Sequence, residues 1–214
     1  MRYRPDQKNA TRAVILKAGG EVFRAKGFAG IGVDGLAKAA KLTSGAFYKH
    51  FNSKVDAFRE VVTVGMQRVV ARIRYVQGAR SGANEQEEWI DDFISIYMSR
   101  AHRDAAAEGC ALPSLTVDVS RSDQETREIY QSGLLDAARA MAERPPLAGT
   151  EDGLDCALAI LALVAGGASM SRALRDPAKA DRLAEAVRSA ASSLAHTGFA
   201  GAAPRRIMSW EPAS

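Results

Sequence analysis

Residues 33–58 read VDGLAKAAKLTSGAFYKHFNSKVDAF, and no other segment says as much about how the chain folds. Apolar side chains recur at helical spacing from Val33 to Ala40, and a tight turn is expected at Lys41–Leu42. A second helix, with small residues at its start, is expected over residues 43–51. Two short helices joined by a turn of about three residues are typical of a helix-turn-helix.

The segment before this pair predicts a supporting helix. Apolar residues form one stripe between Asn9 and Lys26, and either Asn9 or Thr11 can act as the N-cap. Gly27 is expected to end the helix in the left-handed conformation. The first part of the chain is therefore predicted to be a three-helix unit.

The rest of the chain is also predicted to be helical, with Ser53 as the cap of a long fourth helix. Helices are expected over residues 54–78, 85–103, 112–119, 123–144, 151–175 and 177–196. In the second of these, Ile96 is expected to face inward. The fold class is therefore all-α, with a helix-turn-helix domain at residues 1–53, a larger helical domain at 54–197 and a flexible tail at 198–214.

Composition excludes several other classes of protein. Hydrophobic residues are 47% and charged residues 25%, which is ordinary for a globular chain, and aromatic residues are only 7%, which argues against an all-β fold. Cys110 and Cys156 fit neither a disulfide framework nor a metal site. The longest uncharged apolar run, residues 156–171, is shorter than the roughly 20 residues of a membrane span, so we expect a soluble cytoplasmic protein.

Charge is distributed unevenly along the chain. Residues 1–60 hold 12 Lys and Arg against 5 Asp and Glu, a net +7, whereas the whole chain carries +4. The remaining residues are therefore slightly acidic. A basic N-terminal part on an acidic body is consistent with a polyanionic partner for that part, although a solvated basic face would have the same composition.

Gly30 to Gly35 read GIGVDG, which matches the dinucleotide-binding pattern GxGxxG. That pattern binds a pyrophosphate only where a buried strand precedes it, and here the preceding residues continue an amphipathic helix. A nucleotide-dependent enzyme is therefore a remote alternative, and a Gly-rich connection between helices is preferred. The three histidines are isolated and no catalytic motif is found, so neither an enzyme nor a cofactor or metal is expected.

The segment resembles the tetracycline-repressor (TetR) family of transcription regulators over about residues 10–58. The resemblance rests on the runs Leu36–Ala37, Ala39–Ala40, Thr43–Tyr48 and His50–Lys54, and on the Lys26–Gly27 helix end. Two features depart from the family pattern: Ile31–Gly32 replaces a Ser/Thr pair that caps helix two, and Val55 replaces an acidic residue.

The resemblance implies a DNA-binding function through residues 43–54. Base edges would face Thr43, Ser44, Gly45 and Lys49, and phosphates would face Tyr48, His50 and Lys54. Arg2, Arg4 and Lys8 would form an arm along the DNA. The alternatives are a core aromatic for Tyr48 and a packing residue at the helix end for His50.

The resemblance also implies a ligand-responsive dimeric repressor with an effector pocket in the larger domain. The candidate lining residues are Met66, Val70, Trp89, Phe93, Tyr97, Leu112, Leu115, Tyr130, Leu134 and Leu161. Because no charge falls within the apolar stripes, a small apolar or aromatic effector is expected. The dimer is expected through the last two helices, where Gly166 to Ser171 would let the backbones of two chains approach closely.

Cys110 is a separate candidate. It precedes a predicted helix start, where backbone amides can lower a thiol pKa. The segment Glu108–Leu112 resembles the Gly-Cys stretch of TetR-type regulators that sense electrophiles. A thiol-sensing regulator is therefore the alternative function, and a small buried hydrophobic residue is the alternative role for Cys110.

Overall fold

The computed structural model describes residues 5–80, 87–105, 107 and 109–199, with side chains from Lys8 onward, and this part of the chain contains helices and no strand. The all-α prediction is confirmed. The helices are α1 (Pro5–Lys26), α2 (Val33–Ala39), α3 (Ser44–Phe47), α4 (Lys54–Ala79), α5 (Trp89–Met98), α6 (Arg100–Asp104), α7 (Ala111–Ser120), α8 (Gln124–Ala142), α9 (Gly153–Ala173) and α10 (Pro177–Thr197).

The turn between α2 and α3 is held by the backbone. Lys41 adopts a left-handed conformation with φ of 58°, and the Leu42 amide donates to the Ala37 carbonyl at 2.8 Å. Thr43 caps α3, since its side-chain oxygen accepts from the Ala46 amide at 3.2 Å. The short turn predicted from the sequence is therefore present.

The second helix of the pair is shorter than predicted. α3 ends at Phe47, and the chain continues to Phe51 in tight turns such as the bond from the His50 amide to the Phe47 carbonyl at 2.9 Å. Phe47 and Phe51 are both buried, with ring centroids 5.4 Å apart. These two rings hold the end of the segment on the three-helix unit.

α4 joins the N-terminal unit to the rest of the molecule. Ser53 caps α4 as predicted, because its hydroxyl accepts from the Asp56 amide at 3.0 Å. Phe58 then packs against Phe23 and Phe28, with ring centroids 5.2 and 4.9 Å away. Further along, α4 packs against α8. One continuous helix therefore runs from the three-helix unit into the core of the larger domain.

The single helix predicted over residues 85–103 is wrong. The chain forms α5 and α6, and Ser99 between them is extended, with φ of −62° and ψ of 150°. The Ser99 hydroxyl accepts from the His102 amide at 3.2 Å, so it starts a new helix in place of continuing the old one. Ile96, predicted to face inward, is 43% exposed.

α9 is the long apolar helix, and it packs on α10. By length and composition alone it could span a bilayer, but one face is buried in the protein, through residues such as Ile160 and Val164. Three of the residues predicted to contact a partner, Gly167, Ala168 and Ser171, are instead buried within the chain. A Cβ on Gly167 would lie 2.8 Å from Val187 of α10, so the close approach that the sequence predicts is between α9 and α10 of one chain.

Candidate DNA-binding surface and internal cavity

Four of the residues predicted to contact DNA lie exposed on one short segment around α3. They are Thr43, Gly45, Tyr48 and Lys49, and Ser44 and His50 are half-buried beside them. The segment is anchored from below by the buried Phe47. Thr43, Tyr48 and Lys49 therefore lie exposed on a segment that Phe47 anchors to the three-helix unit.

The two hydroxyls at the start of α3 already have partners within the chain. Thr43 caps the helix, and its O–H remains able to donate outward. Ser44 donates to the Asp34 carboxylate of α2. Its base contact stays a prediction, but the hydroxyl would have to leave Asp34 to donate to a base.

Gly45 is a glycine that the fold does not require. Its φ is not positive, and a Cβ built on it would meet nothing closer than the Thr43 hydroxyl at 4.0 Å. Gly65 in α4 is the opposite case, because its Cβ would lie 2.7 Å from the Ala111 Cβ. The missing side chain at Gly45 thus leaves open space on the outer surface of the molecule.

Tyr48 and His50 differ in their surroundings. Tyr48 is 55% exposed, so it is not the core aromatic that was the alternative. The His50 pKa is lowered by burial and by the charges of Lys8, Arg12 and Lys49, and its Nδ1 has no hydrogen-bond partner in the described part of the chain. The imidazole is therefore neutral near pH 7 and can offer an N–H to an oxygen.

Lys54 has acquired structural partners that the sequence did not indicate. Its ammonium donates to the carbonyls of Phe28 and Ile31 at 3.0 and 3.1 Å, and it lies 4.0 Å from the centre of the Phe28 ring. The group closes the connection between α1 and α2. Its phosphate contact stays a prediction, although only part of its hydrogen-bonding capacity is free for one.

Arg12 of α1 is a residue that the sequence reasoning missed. It donates to the His50 carbonyl and to the Glu60 carboxylate, and its guanidinium lies 4.3 Å from the centre of the Phe51 ring. It therefore fixes the end of the α3 segment to α1 and α4. An arginine on the polar face of a helix gives no sequence signal for this role.

The remaining N-terminal predictions concern the arm and the glycine run. Arg2 and Arg4 lie outside the described residues, and Lys8 is exposed on α1. The run from Gly30 to Gly35 follows helix α1 and enters α2, whose cap Gly32 makes no side-chain hydrogen bond. A connection between helices was the preferred interpretation, and it is what the structure shows.

The larger domain contains a cavity of about 410 Å³ that opens beside α6. It is lined by Arg24, Gly65, Arg68, Val69, Arg72, Phe93, Ile96, Tyr97, Ser99, Ala101, His102, Ala105, Gly109, Cys110 and Ala111. Of the predicted lining residues, Phe93 and Tyr97 are present. Met66, Val70, Trp89, Leu112, Leu115, Tyr130, Leu134 and Leu161 do not line this cavity, because they are turned into the packing between helices.

The charge of the cavity differs from the apolar pocket that was expected. Arg24 of α1 and Arg68 and Arg72 of α4 all line it. They lie outside the apolar stripes, so the stripes gave no sign of them. The Arg24 pKa is lowered by burial and then by repulsion from Arg68, which shows that these cations lie close together.

Tyr97 and His102 also line the cavity. The Tyr97 hydroxyl is buried, makes no well-formed hydrogen bond among the described residues and lies beside the Cys110 thiol, and desolvation raises its pKa. The His102 pKa is lowered by burial, and its Nδ1–H donates to the Tyr97 carbonyl at 2.6 Å. Arg172 of α9 donates to the Arg103 carbonyl at 2.6 Å and does not line the cavity.

Cys110 lies at the N-cap of α7 and lines the same cavity. The pKa of its thiol is raised, because desolvation outweighs the neighbouring Tyr97 hydroxyl, the Leu112 amide and the Arg172 and Arg24 charges. The expectation of a lowered pKa is therefore wrong. Cys156 is buried in α9, where burial and the Asp152 carboxylate raise its pKa to about 11.

Comparisons with known proteins agree with the helix-turn-helix. Residues 15–61 match the family model of bacterial regulatory proteins, tetR family. No curated protein sequence matches the chain significantly.

Among solved structures, the reduced form of Escherichia coli NemR is 18% identical, covering 85% of this chain and 95% of its own, with a TM-score of 0.71. A TetR-family regulator from Cytophaga hutchinsonii is 21% identical, covering 89% and 98%, with a TM-score of 0.68. The fatty acid degradation regulator FadR from Bacillus halodurans is 20% identical, covering 94% and 99%, with a TM-score of 0.65. Residues 15–61 therefore carry the helix-turn-helix of the tetR family of bacterial regulatory proteins, and the whole chain has the fold of TetR-family transcriptional regulators.

Proposed function

We propose that this DNA-binding regulator is a ligand-responsive dimeric repressor that acts in the cytoplasm on a pseudopalindromic operator. The observation that carries the proposal is the position of Arg24. This side chain belongs to α1 of the DNA-binding unit, yet it lines the cavity of the larger domain. Its Nε also donates to the Ala107 carbonyl at 2.7 Å, in the segment that leads to Cys110. A ligand in the cavity would therefore contact the DNA-binding unit directly.

The DNA contacts follow from exposure and chemistry. Thr43, Gly45 and Lys49 are placed to meet base edges, with the Lys49 ammonium able to donate to guanine O6 and N7. Tyr48 and His50 would donate to phosphates. The phosphate contacts would set the affinity for DNA and its dependence on salt, whereas the base contacts would set the sequence preference.

A dimer is supported by the outer faces of α9 and α10. Leu163 and Met170 are 36% and 63% exposed, and Gly166 between them is open. Ala186 and Ala190 extend this surface onto α10. A monomer gains nothing from such an exposed apolar face, whereas packing against its two-fold copy would remove the face from water. We name these five residues the dimer face.

Release of DNA would begin in the cavity. Arg24 donates to the Ala107 carbonyl and is repelled by the neighbouring Arg68, so a ligand that replaces the hydrogen bond or neutralises the repulsion would shift α1 relative to α4. The two recognition segments of a dimer must keep a fixed separation to bind both half-sites. A small shift of α1 in each chain would change that separation and lower operator affinity.

The test begins with selection of operator sequences from random DNA by the full-length protein. We expect an inverted repeat, and fluorescence anisotropy should show affinity falling steeply with salt. Lys49→Ala should change the preference at defined base positions. The matched control is Lys179→Ala on α10, an exposed lysine far from α3 in sequence, which should change nothing. Recovery of no preferred sequence would refute the proposal.

A thiol-sensing function is the second candidate, favoured by the location of Cys110 in the wall of this cavity. One structural neighbour, NemR, is described in a reduced form, which is a statement about that protein. In this chain, the Cys110 thiolate would add to an electrophilic alkene, forming a carbon–sulfur bond while solvent supplies the proton that the neighbouring carbon takes up. The added group would occupy the cavity beside Tyr97 and Arg24.

The thiol test uses both cysteines. An electrophile should release operator DNA from the wild type and not from Cys110→Ser, whereas Cys156→Ser should respond like the wild type. Because the Cys110 pKa is raised, its alkylation rate should be low at pH 7 and should increase as the pH passes the usual thiol range of about 8.5. Equal release from wild type and Cys110→Ser would make Cys110 a packing residue.

A further inference from the structure

The cavity carries information about the chemistry of its ligand. Arg24, Arg68 and Arg72 line it, and no aspartate or glutamate of the described residues does. None of these three arginines forms an ion pair within the described part of the chain. Three guanidiniums around one space repel one another, and an anion between them would relieve that repulsion.

The arginines are placed to act together. Arg68 and Arg72 are four residues apart on α4, so their side chains leave the same face of the helix. Arg24 reaches the cavity from α1, and its pKa is lowered by burial and then by the charge of Arg68. The cationic side of the cavity is thus formed by two helices. One of them belongs to the DNA-binding unit.

The Tyr97 hydroxyl is an independent sign of a ligand. Tyr97 is 95% buried and lines the cavity, and its hydroxyl makes no well-formed hydrogen bond among the described residues. The Cys110 thiol beside it is only a weak partner, so the buried hydroxyl is poorly satisfied within the described part of the chain. Because desolvation raises the Tyr97 pKa, the group is a neutral O–H that can donate to an acceptor in the cavity.

The remaining lining residues indicate that most of the ligand is apolar. Val69, Phe93 and Ile96 contribute apolar surface, and the volume of about 410 Å³ is far larger than an inorganic anion needs. Ile96 is exposed because it faces this cavity, which accounts for the departure from the predicted inward position. An ion such as phosphate would leave these apolar walls in contact with water.

We propose that the cavity binds a small organic acid, with its anionic group held by Arg68, Arg72 and Arg24 and its apolar body against Val69 and Phe93. The Tyr97 hydroxyl donates to an oxygen of the ligand. This inference rests on the proposed ligand response and names its chemical class. The sequence favoured a small apolar or aromatic effector, and the arginines of the cavity add an anionic group to that expectation.

Binding is tested without DNA, by titration calorimetry of the full-length protein with two matched probes. 2-Naphthoate carries the anionic group, and 2-naphthamide has nearly the same shape without the charge. We expect naphthoate to bind at least about tenfold more tightly than the amide, because charge-assisted hydrogen bonds are the stronger kind. Inorganic phosphate should not compete at equal concentration. Equal binding of acid and amide, or binding of neither, overturns the proposal.

Variants locate the site. Arg68→Gln/Arg72→Gln should weaken naphthoate binding about tenfold or more and leave the amide unaffected, and both residues are exposed, so the fold should persist. Arg74→Gln is the matched control, because Arg74 is exposed on the same helix and does not line the cavity. Tyr97→Phe keeps the ring and should weaken naphthoate binding severalfold. Binding that survives the double substitution unchanged overturns the assignment.

The experiments distinguish a failure of the proposed ligand class from a failure of the proposed ligand-responsive repressor function. Naphthoate that binds through these arginines but leaves the operator complex intact would support the ligand class and count against the ligand response. A neutral compound that releases the operator while naphthoate fails to bind would keep the ligand response and overturn the class. Circular dichroism of each variant shows that the comparison is made on folded protein.

Discussion

The surface around α3 and the cavity of the larger domain are built in opposite ways. The surface comes from consecutive residues between Thr43 and His50, of which Thr43, Gly45, Tyr48 and Lys49 are exposed. The cavity takes its walls from α1, α4, α5 and the segment from Ser99 to Ala111. A change on the surface therefore alters contacts with a partner, whereas a change in the inner cavity wall alters the packing of several helices. Arg24 is where the two regions meet.

The largest effect is expected from separating the two chains of the dimer. Met170→Glu places a charge on the dimer face, where Met170 is 63% exposed, so each chain should fold but remain a monomer. Operator affinity should fall by more than about a hundredfold, because a single helix-turn-helix contacts one half-site. Naphthoate binding to the cavity should persist. Sedimentation and anisotropy measure the two effects.

Tyr75→Glu is the control for that experiment, since Tyr75 is an equally exposed large residue on α4. It should leave both the dimer and operator binding intact. If Met170→Glu remained dimeric and bound the operator normally, the dimer face would be wrongly assigned. The cavity and the DNA-binding surface would then have to be connected within one chain.

Two lysines provide the next comparison. Lys54→Ala removes two hydrogen bonds to carbonyls and a contact with the Phe28 ring, so it should lower the free energy of unfolding by about 1–3 kcal/mol. Lys49→Ala should leave stability unchanged and alter base preference. Thermal unfolding and operator selection on both variants distinguish these roles. If the two variants were equally stable, Lys54 would have no structural role, and the phosphate contact implied by the sequence would remain as its role.

Two glycines test whether the surface is open for DNA. Gly45→Ala should leave unfolding unchanged, because the new Cβ meets nothing closer than 4.0 Å, and it should weaken operator binding about tenfold by occupying space that a base would use. Gly65→Ala should instead cost about 1–3 kcal/mol of stability, since its Cβ would lie 2.7 Å from Ala111. Gly45→Ala with full operator affinity would remove Gly45 from the interface.

The same difference explains how much of each region the sequence could predict. The turn at Lys41, the cap at Thr43 and the buried Phe47 depend on neighbours within a few residues, and the turn that the sequence predicted is present. Arg24 and Arg72 border the same cavity only because α1 and α4 pack together, and no spacing rule links positions so far apart in sequence. Periodicity identifies which residues are apolar, and it does not say which polar residues border a cavity.

Ser99 shows a further reason why the cavity was missed. The apolar pattern runs on across residue 99, so one continuous helix is expected over residues 85–103. A serine that caps a new helix competes with that pattern, and the resulting bend places Tyr97 and His102 on the same cavity. Local hydrogen bonding at Ser99 thus determines where α5 ends and α6 begins, which the hydrophobic pattern does not indicate.

The smallest expected effect is the pH dependence of operator binding through His50. Burial and three neighbouring cations lower the His50 pKa below 6.5 in the free protein, so the ring is neutral near pH 7. A phosphate beside the ring would favour its charged form and raise the pKa in the complex. Binding would then take up a proton, and operator affinity should increase as the pH falls from 8 to 6. The increase in operator affinity is at most about tenfold if the His50 pKa shifts by one unit on binding.

Anisotropy titrations at constant ionic strength should show this increase in the wild type and not in His50→Gln. The same slope in both proteins would mean that His50 only packs at the end of the α3 segment, and that the phosphate contacts come from Tyr48 and other residues.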